Sequence, residues 1–408
     1  MENNLSSTSK ITIVNAHWNN RGDEAALLAI VEGLQKTYKD SQITIIFKDG
    51  KSVEQFPALE KVTYYTAKFN AKIWDIWLAT LTKGILGKNY LLKKMVRTLV
   101  ESDLIIYSPG GSVINKRFFW RKQMEYLAPF ICAKFNNIPM MVAAPSIGPF
   151  DTSKPNILIK YLLKTPKVFC VREEISKRYL KEIGISDNIQ VTIDSAFYSH
   201  VNKEYNEKKL NEYDELKQYL DSYEKVVGIT ITDFQWHVKL GHDKELSFRI
   251  NDSFKKFLKK LESDGYGILF IPQLFANQCD YDYMNSYSSN STFIMKDTMD
   301  TYFQQYIISK LYAVVGMRYH SNIFAAKMGV PFIAVIYEEK MKGFIELANL
   351  DEYSMSLDDL SFERLDTKFS LLDNNHPHIT DILKAKLPEW RKKAETTVSL
   401  LTSQESEK

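Results

Sequence analysis

The chain has 408 residues, too many for one ordinary hydrophobic core, so two domains are expected. Its 45% hydrophobic and 25% charged residues and a net charge of only +3 describe a soluble globular protein with no call for bulk nucleic-acid binding. Three widely spaced cysteines, Cys132, Cys170 and Cys279, make neither a disulfide framework nor a CxxC metal pattern, so a reducing, cytoplasmic setting is expected. The polar start MENNLSSTSK lacks the apolar centre of a signal peptide, and no stretch approaches ~20 consecutive apolar residues.

After that polar arm, 11–14 reads as a buried strand, followed by a loop and a helix from about Asp23 to Thr37. Further strands are expected at 42–48, 104–108, 139–144, 167–171 and 188–192, with helical patterns between most of them, for example at 120–135 and 174–183. Strands alternating with helices imply a parallel, doubly wound α/β sheet. The polar stretch 202–225 reads as the crossing into a second domain, where the pattern restarts at 226–232. There, helices are expected at 247–264 and 302–310, strands at 267–272, 311–315 and 332–337, and a last amphipathic helix at 384–402. His376 and His378 flank Pro377 in what reads as a linker. The expected division is 9–200, 201–375, and a terminal segment 376–408 returning to the first domain.

Several strand ends carry residues with chemical potential. Asn19-Asn20-Arg21-Gly22-Asp23-Glu24 follows the first strand; Gly22 permits a tight turn, and Asp23 can cap the next helix and leave backbone N–H groups aimed at a ligand. An ordinary capped glycine turn explains the same residues, and a single glycine is far from a dinucleotide fingerprint. Gly110, Gly111 and Ser112 follow the strand at 104–108, where adjacent glycines allow close approach to the backbone or simply make a turn. Arg172 ends the strand at 167–171. It is placed to pair with a carboxylate or phosphate, although Glu173 beside it offers a local partner.

The segment 316–340, GMRYHSNIFAAKMGVPFIAVIYEEK, is the most informative. It reads as turn, helix, strand and turn after the strand at 311–315, and residues following two neighbouring parallel strands reach the same sheet edge. Arg318, His320 and Lys340 are therefore expected to meet there: a fixed cation, a titratable imidazole and a mobile cation, suited to an anionic substrate that needs proton transfer. His237 and His242 show no metal-ligand spacing, and no structural metal is expected.

A last segment, 73–100, carries Trp74, Trp77, many leucines and Lys83, Lys88, Lys93, Lys94 and Arg97. A basic, Trp-bearing amphipathic segment suits an anionic membrane surface. A helical pair packed on the sheet or on a partner subunit is the favoured explanation of the pattern, since Gly84 and Gly87 would break one continuous helix.

Taken together and in order, NNRGDEAALLAIVEGL, SPGGSVIN, CVREEISKRYLKEIGI, VTIDSAF and GMRYHSNIFAAKMGVPFIAVIYEEKMKGF resemble the polysaccharide pyruvyl transferase family, over about residues 11–350. The resemblance implies two Rossmann-like domains in a B-type-glycosyltransferase-like arrangement with an interdomain active site. The activity implied is transfer of the pyruvyl group of phosphoenolpyruvate to sugar hydroxyls, forming a ketal on a surface polysaccharide or its lipid-linked precursor. No cofactor or metal enters that scheme.

By the same resemblance Arg172, His320 and Lys340 would hold the donor with Arg318 beside them, and His320 would be the general acid/base. Asn19, Gly22, Asp23, Glu24, Gly110, Gly111 and Ser112 would face the acceptor, a sugar, oligosaccharide or lipid-linked glycan. The turn has two glycines, Gly110 and Gly111, where the family often has three, and Lys342 competes with Lys340 for the phosphate. Trp120, Arg121 and the loop 234–242 are further acceptor candidates. A nucleotide-sugar glycosyltransferase on the same fold and a non-catalytic glycan-assembly subunit are the alternatives; a homo-oligomer and a location at the inner membrane face belong to the same expectation.

Overall fold

A computed structural model describes residues 9–48, 53–110, 114, 124–153, 157–234, 240–275 and 279–402. The chain divides into two units. The first holds the residues up to Trp18, Asp23–Ser199 and the chain from Arg391; the second holds Asn19–Gly22 and His200–Trp390.

The first unit is a seven-stranded sheet of β1 (Lys10–Ala16), β2 (Gln42–Phe47), β3 (Val62–Thr66), β4 (Leu104–Tyr107), β5 (Met140–Val142), β6 (Val168–Val171) and β7 (Ile189–Val191). The strands are parallel throughout, in the order β3-β2-β1-β4-β5-β6-β7. Strand order reverses between β1 and β4, and open α/β sheets of this kind bind ligands beyond the carboxyl ends of such neighbours. Its helices are α1 (Arg21–Thr37), α2 (Ile73–Leu81), α3 (Tyr90–Val100), α4 (Met124–Asn136), α5 (Ile157–Leu163) and α6 (Glu174–Glu182). The strands β4 and β5 are buried along their whole length, as expected of parallel strands covered on both faces.

The second unit repeats the plan. After α7 (Lys203–Leu210) and α8 (Asp214–Asp221) come β8 (Val226–Thr230), α9 (Lys244–Ser263), β9 (Gly267–Phe270), α10 (Asp280–Asn285), β10 (Thr292–Ile294), α11 (Thr301–Ile308), β11 (Ala313–Gly316), α12 (Tyr319–Met328), β12 (Phe332–Ile336), α13 (Glu339–Ala348), β13 (Ser354–Ser356), α14 (Phe362–Asn374) and α15 (His376–Thr402). The six strands are parallel in the order β10-β9-β8-β11-β12-β13. Here the reversal lies between β8 and β11.

Interior strands fall where apolar runs predict them. The edge strands β3, β10 and β13 were not expected. They are short or half-exposed, so burial on two faces does not demand the continuous apolar run that marks an interior strand. The polar stretch at 202–225 is not a bare crossing but carries α7 and α8. The expected linker at 376–378 is instead the first turn of α15, because a proline in a first turn loses no intrahelical hydrogen bond. Among the described residues no helix is long and apolar enough to cross a membrane.

Candidate functional site

In the first unit the ends of four adjacent strands carry one connected polar chain. Gly110, after β4, has φ +152°, and its carbonyl accepts from Ser146 N (3.1 Å). Ser146, after β5, accepts in turn from Arg172 Nε (2.8 Å). Arg172, after β6, pairs through Nη1 with Asp194 Oδ2 at 2.7 Å, both side chains 1% exposed. Asp194, after β7, spends its other oxygen on Ala196 N (3.0 Å), capping a short 3-10 turn. Glu173 Oε2 lies 3.4 Å from Arg172 Nε, while its other oxygen accepts from Ser176. The main carboxylate partner of Arg172 is thus Asp194, not the neighbouring Glu173, and the pair is buried. Such an arrangement holds the guanidinium in one orientation, and removing either member alone would strand a buried charge.

The first turn of α1 differs from its expectation. Asn20, not Asp23, supplies the side-chain acceptor at the helix start: Asn20 Oδ1 accepts from Gly22 N (3.0 Å), because the helix opens at Arg21, two residues early. Asp23 and Glu24 sit in the first turn as acids at the positive end of the helix. Glu24 is buried, and a Cβ at Gly110 would lie 3.6 Å from Asp23 Oδ1, so the two turns are neighbours. Gly111, Ser112, Trp120, Arg121 and 235–239 of the loop 234–242 lie outside the described residues.

The segment Asn19–Gly22 belongs to the second unit and runs beside the end of β9. Asn20 bridges Leu274, Arg21 N donates to Gln273 O (2.9 Å) and Phe275 N to Asn19 O (2.8 Å). The guanidinium of Arg21 lies over the Phe275 ring at 4.4 Å and donates to Asp297 O. This seats Gly22 against His320: a Cβ built on Gly22 would fall 1.8 Å from His320 Cγ. Only glycine fits. In the structure the packing partner of Gly22, which the family resemblance would turn to the acceptor, is the imidazole.

Around the switch of the second sheet, Arg318 caps α12 by position after β11, and its backbone N reaches Thr230 Oγ1 at 3.4 Å. Its guanidinium takes both oxygens of Asp280, Nε to Oδ2 at 3.1 Å and Nη2 to Oδ1, and reaches Thr232 Oγ1 at 3.1 Å. Asp280 is itself fixed by Gln273 N (3.1 Å) and Leu274 N (3.0 Å). Burial opposes the guanidinium's charge, yet Asp280 and then Tyr337 outweigh it and hold the Arg318 pKa above its ordinary value. Burial, reinforced by Glu338, pushes the Tyr337 phenol up. His320 is the second residue of α12, with the Tyr319 ring edge-on at 4.9 Å. Lys340, in the first turn of α13, pairs with Glu338 Oε2 at 2.5 Å and places its Nζ 5.7 Å from the Tyr319 ring centroid.

Because β11 and β12 are hydrogen-bonded neighbours, Arg318, His320 and Lys340 emerge at one edge, with Tyr319 between the last two. Lys342 instead pairs at 3.8 Å with Glu346 on the exposed face of α13, its side chain 68% exposed. Asp194, Asp280, Ser146 and Tyr337 are the polar residues that sequence reasoning did not single out as partners. Each follows a strand closely or opens a helix after one, and that position was the only available signal. Burial pushes the thiols of Cys132 and Cys170 up to about 12, so neither is a thiolate nucleophile near neutral pH. Among the described residues no group of three or more His, Cys, Asp or Glu side chains is placed to hold a metal ion.

Comparison with known proteins bears on this geometry. The family model described as polysaccharide pyruvyl transferase matches residues 20–339, a span that takes in Arg172, Arg318 and His320 and ends one residue before Lys340. The amylovoran biosynthesis protein AmsJ of Erwinia amylovora is 22% identical over 396 residues, covering 90% of this chain and 92% of that protein. Among solved structures, the UDP-GlcNAc 2-epimerase of Neisseria meningitidis bound to UDP-GlcNAc is similar at a TM-score of 0.60 and 15% identity, covering 96% of this chain and 99% of that one. MurG of Acinetobacter baumannii is similar at 0.53 and 12%, covering 97% and 100%. At such identities the likeness is one of fold, the α/β, B-type-glycosyltransferase-like class with two Rossmann-like units.

Proposed function

The chain belongs to the polysaccharide pyruvyl transferase family, and on that premise we propose that it moves the pyruvyl group of phosphoenolpyruvate onto a glycan as a ketal bridging two hydroxyls. The observation that carries this reading is the second-unit cluster. A histidine, a lysine and an arginine stand at one sheet edge, at the starts of two helices, where a structural role would favour acids rather than cations. Two cations beside an imidazole suit a donor with a carboxylate and a phosphate.

In this mechanism the methylene carbon of the donor gains a proton as a sugar hydroxyl oxygen bonds to the neighbouring carbon and gives up its own proton. A second hydroxyl then displaces inorganic phosphate from that carbon, closing the ketal and leaving one more proton to be taken up. His320 delivers and accepts protons in these steps, since imidazole serves as either acid or base near neutral pH. Gly22 and Tyr319 both pack against its ring. Lys340 is assigned to the phosphate, where its charge stabilises the departing anion; Lys342, turned to Glu346, is not. Arg318, its charge offset by Asp280 and its guanidinium also bonded to Thr232, is assigned to the donor side as a rigid guanidinium beside the imidazole. Arg172 is assigned to donor binding as well, in an orientation set by Asp194 and Ser146. Asp23, Glu24 and Gly110 remain assigned to the acceptor.

The test is an assay of phosphate release and of a pyruvate-sized mass gain on free and lipid-linked sugars, with phosphoenolpyruvate as donor. His320→Asn and Lys340→Ala are expected to lower transfer by at least ~100-fold while the melting temperature stays close to wild type. Arg172→Lys is the better probe of that position, since it keeps a charge beside Asp194 while losing the guanidinium fork. Turnover near wild type in both His320→Asn and Lys340→Ala would remove the assignment. Thermal stabilisation by a UDP-sugar but not by phosphoenolpyruvate would move the protein to nucleotide-sugar chemistry.

A further inference from the structure

We propose that the first unit docks onto an anionic lipid surface through the hairpin formed by α2 and α3. Helix α2 turns Ile76 and Ala79 into the core. Trp74, Leu78 and Leu81, spaced i, i+4 and i+7, share the opposite face and are 77%, 42% and 68% exposed. Ile85 (68%), Leu86 (53%) and Tyr90 (71%) continue the apolar surface through the turn into α3. Contiguous exposure of this kind marks an interaction site rather than scattered surface apolar residues.

The hairpin is built to present these side chains. Gly84 and Gly87 take left-handed φ values of +78° and +135°. A Cβ at Gly84 would lie 2.6 Å from both Lys93 O and Arg97 Cγ. Arg97 Nε donates to Gly84 O (3.0 Å), while Thr82 Oγ1 donates to Leu78 O (2.7 Å) and accepts from Leu86 N (3.0 Å). These bonds fix a turn whose outward residues are Leu81, Ile85 and Leu86.

Charge selects the partner. Residues 68–100 hold seven lysines and arginines and one acid, Asp75, and Lys72, Lys83 and Lys88 are exposed beside the apolar residues. Lysine is depleted in protein–protein contacts, whereas a tryptophan-bearing apolar face rimmed by lysine suits the headgroup boundary of an anionic bilayer. In a twofold contact between copies the same patch meets itself, so lysines would oppose lysines. Spanning is excluded for this element: its nine residues extend only about 14 Å, against ~30 Å of hydrocarbon. This docking does not depend on which donor the protein uses.

The test uses the full-length protein with vesicles of phosphatidylglycerol mixed with phosphatidylcholine, and with vesicles of phosphatidylcholine alone. We expect flotation with the mixed vesicles at least ~10-fold above that with neutral ones, weakening as salt is raised. A blue shift of tryptophan emission is expected that disappears in Trp74→Phe. The triple variant Trp74→Ser, Leu81→Ser, Ile85→Ser should lose binding by at least ~10-fold with unchanged circular dichroism and melting. Lys83→Glu with Lys88→Glu should remove the preference for the anionic vesicles. Wild-type protein that stays in solution with both vesicle types overturns the proposal, as does a triple variant that floats like wild type. A wild-type dimer that the triple variant dissolves, with no vesicle binding, would assign the face to a second copy instead.

Discussion

At the scale of single residues, the contact between Gly22 and His320 makes the sharpest claim. With the would-be Cβ 1.8 Å from the imidazole, Gly22→Ala must push the ring aside or move the backbone, a strain of about 1–3 kcal/mol. The expected result is a fall in turnover of ~10-fold or more, larger than any change in thermal stability would explain. An alanine variant with normal kcat would show that the imidazole's place is not what matters. Asp280 makes a second claim. Asp280→Ala leaves the buried Arg318 without its bidentate partner, a loss of about 3–5 kcal/mol that a urea melt should show as a lower midpoint. A melt unchanged within error would mean that Arg318 finds its compensation elsewhere. Arg318, His320 and Lys340 were legible as a group, because each directly follows an interior strand or its turn. Their partners were not: Arg318 reaches Asp280 across 38 positions and Arg172 reaches Asp194 across 22. Such pairings exist only once strand order brings two loops to one edge.

Among elements, interior strands were readable as apolar runs, and the break between α2 and α3 was readable from Gly84 and Gly87. The edge strands β10 and β13, three residues each, were not announced by the sequence, whereas β7, an edge strand of equal length, was expected at 188–192. For the terminal helix α15, the apolar pattern did not reveal which residues it touches. Ala394, Thr397, Val398 and Leu401 are buried in the first unit. Val398 packs where Gly33 lacks a Cβ, Thr397 donates to Thr192 Oγ1 at 2.7 Å, and Tyr38 OH donates to Thr402 O at 2.6 Å. Each buried aliphatic side chain contributes about 1.5–3 kcal/mol. Ending the chain after Trp390 is therefore expected to lower the melting temperature by at least ~5 °C, and a truncated protein that melts with the full chain would show this helix to be an ornament of the fold.

For the molecule as a whole, the two units repeat one strand order, and in both the charged residues of interest follow the carboxyl ends of the strands. The amino-acid sequence alone determined the α/β class, the interior strands with most of the helices between them, and the placing of Arg172, Arg318, His320 and Lys340 at strand ends or the turns after them, because periodicity and turn residues are local properties of the chain. Tertiary structure decided what those residues touch. It tied Arg172 to Asp194 and Arg318 to Asp280, turned Lys342 away to Glu346, set Gly22 against His320, and left Trp74, Leu81 and Ile85 facing outward. The reason is that burial and ion pairing depend on which distant segments become neighbours, and no local pattern in the chain records that choice.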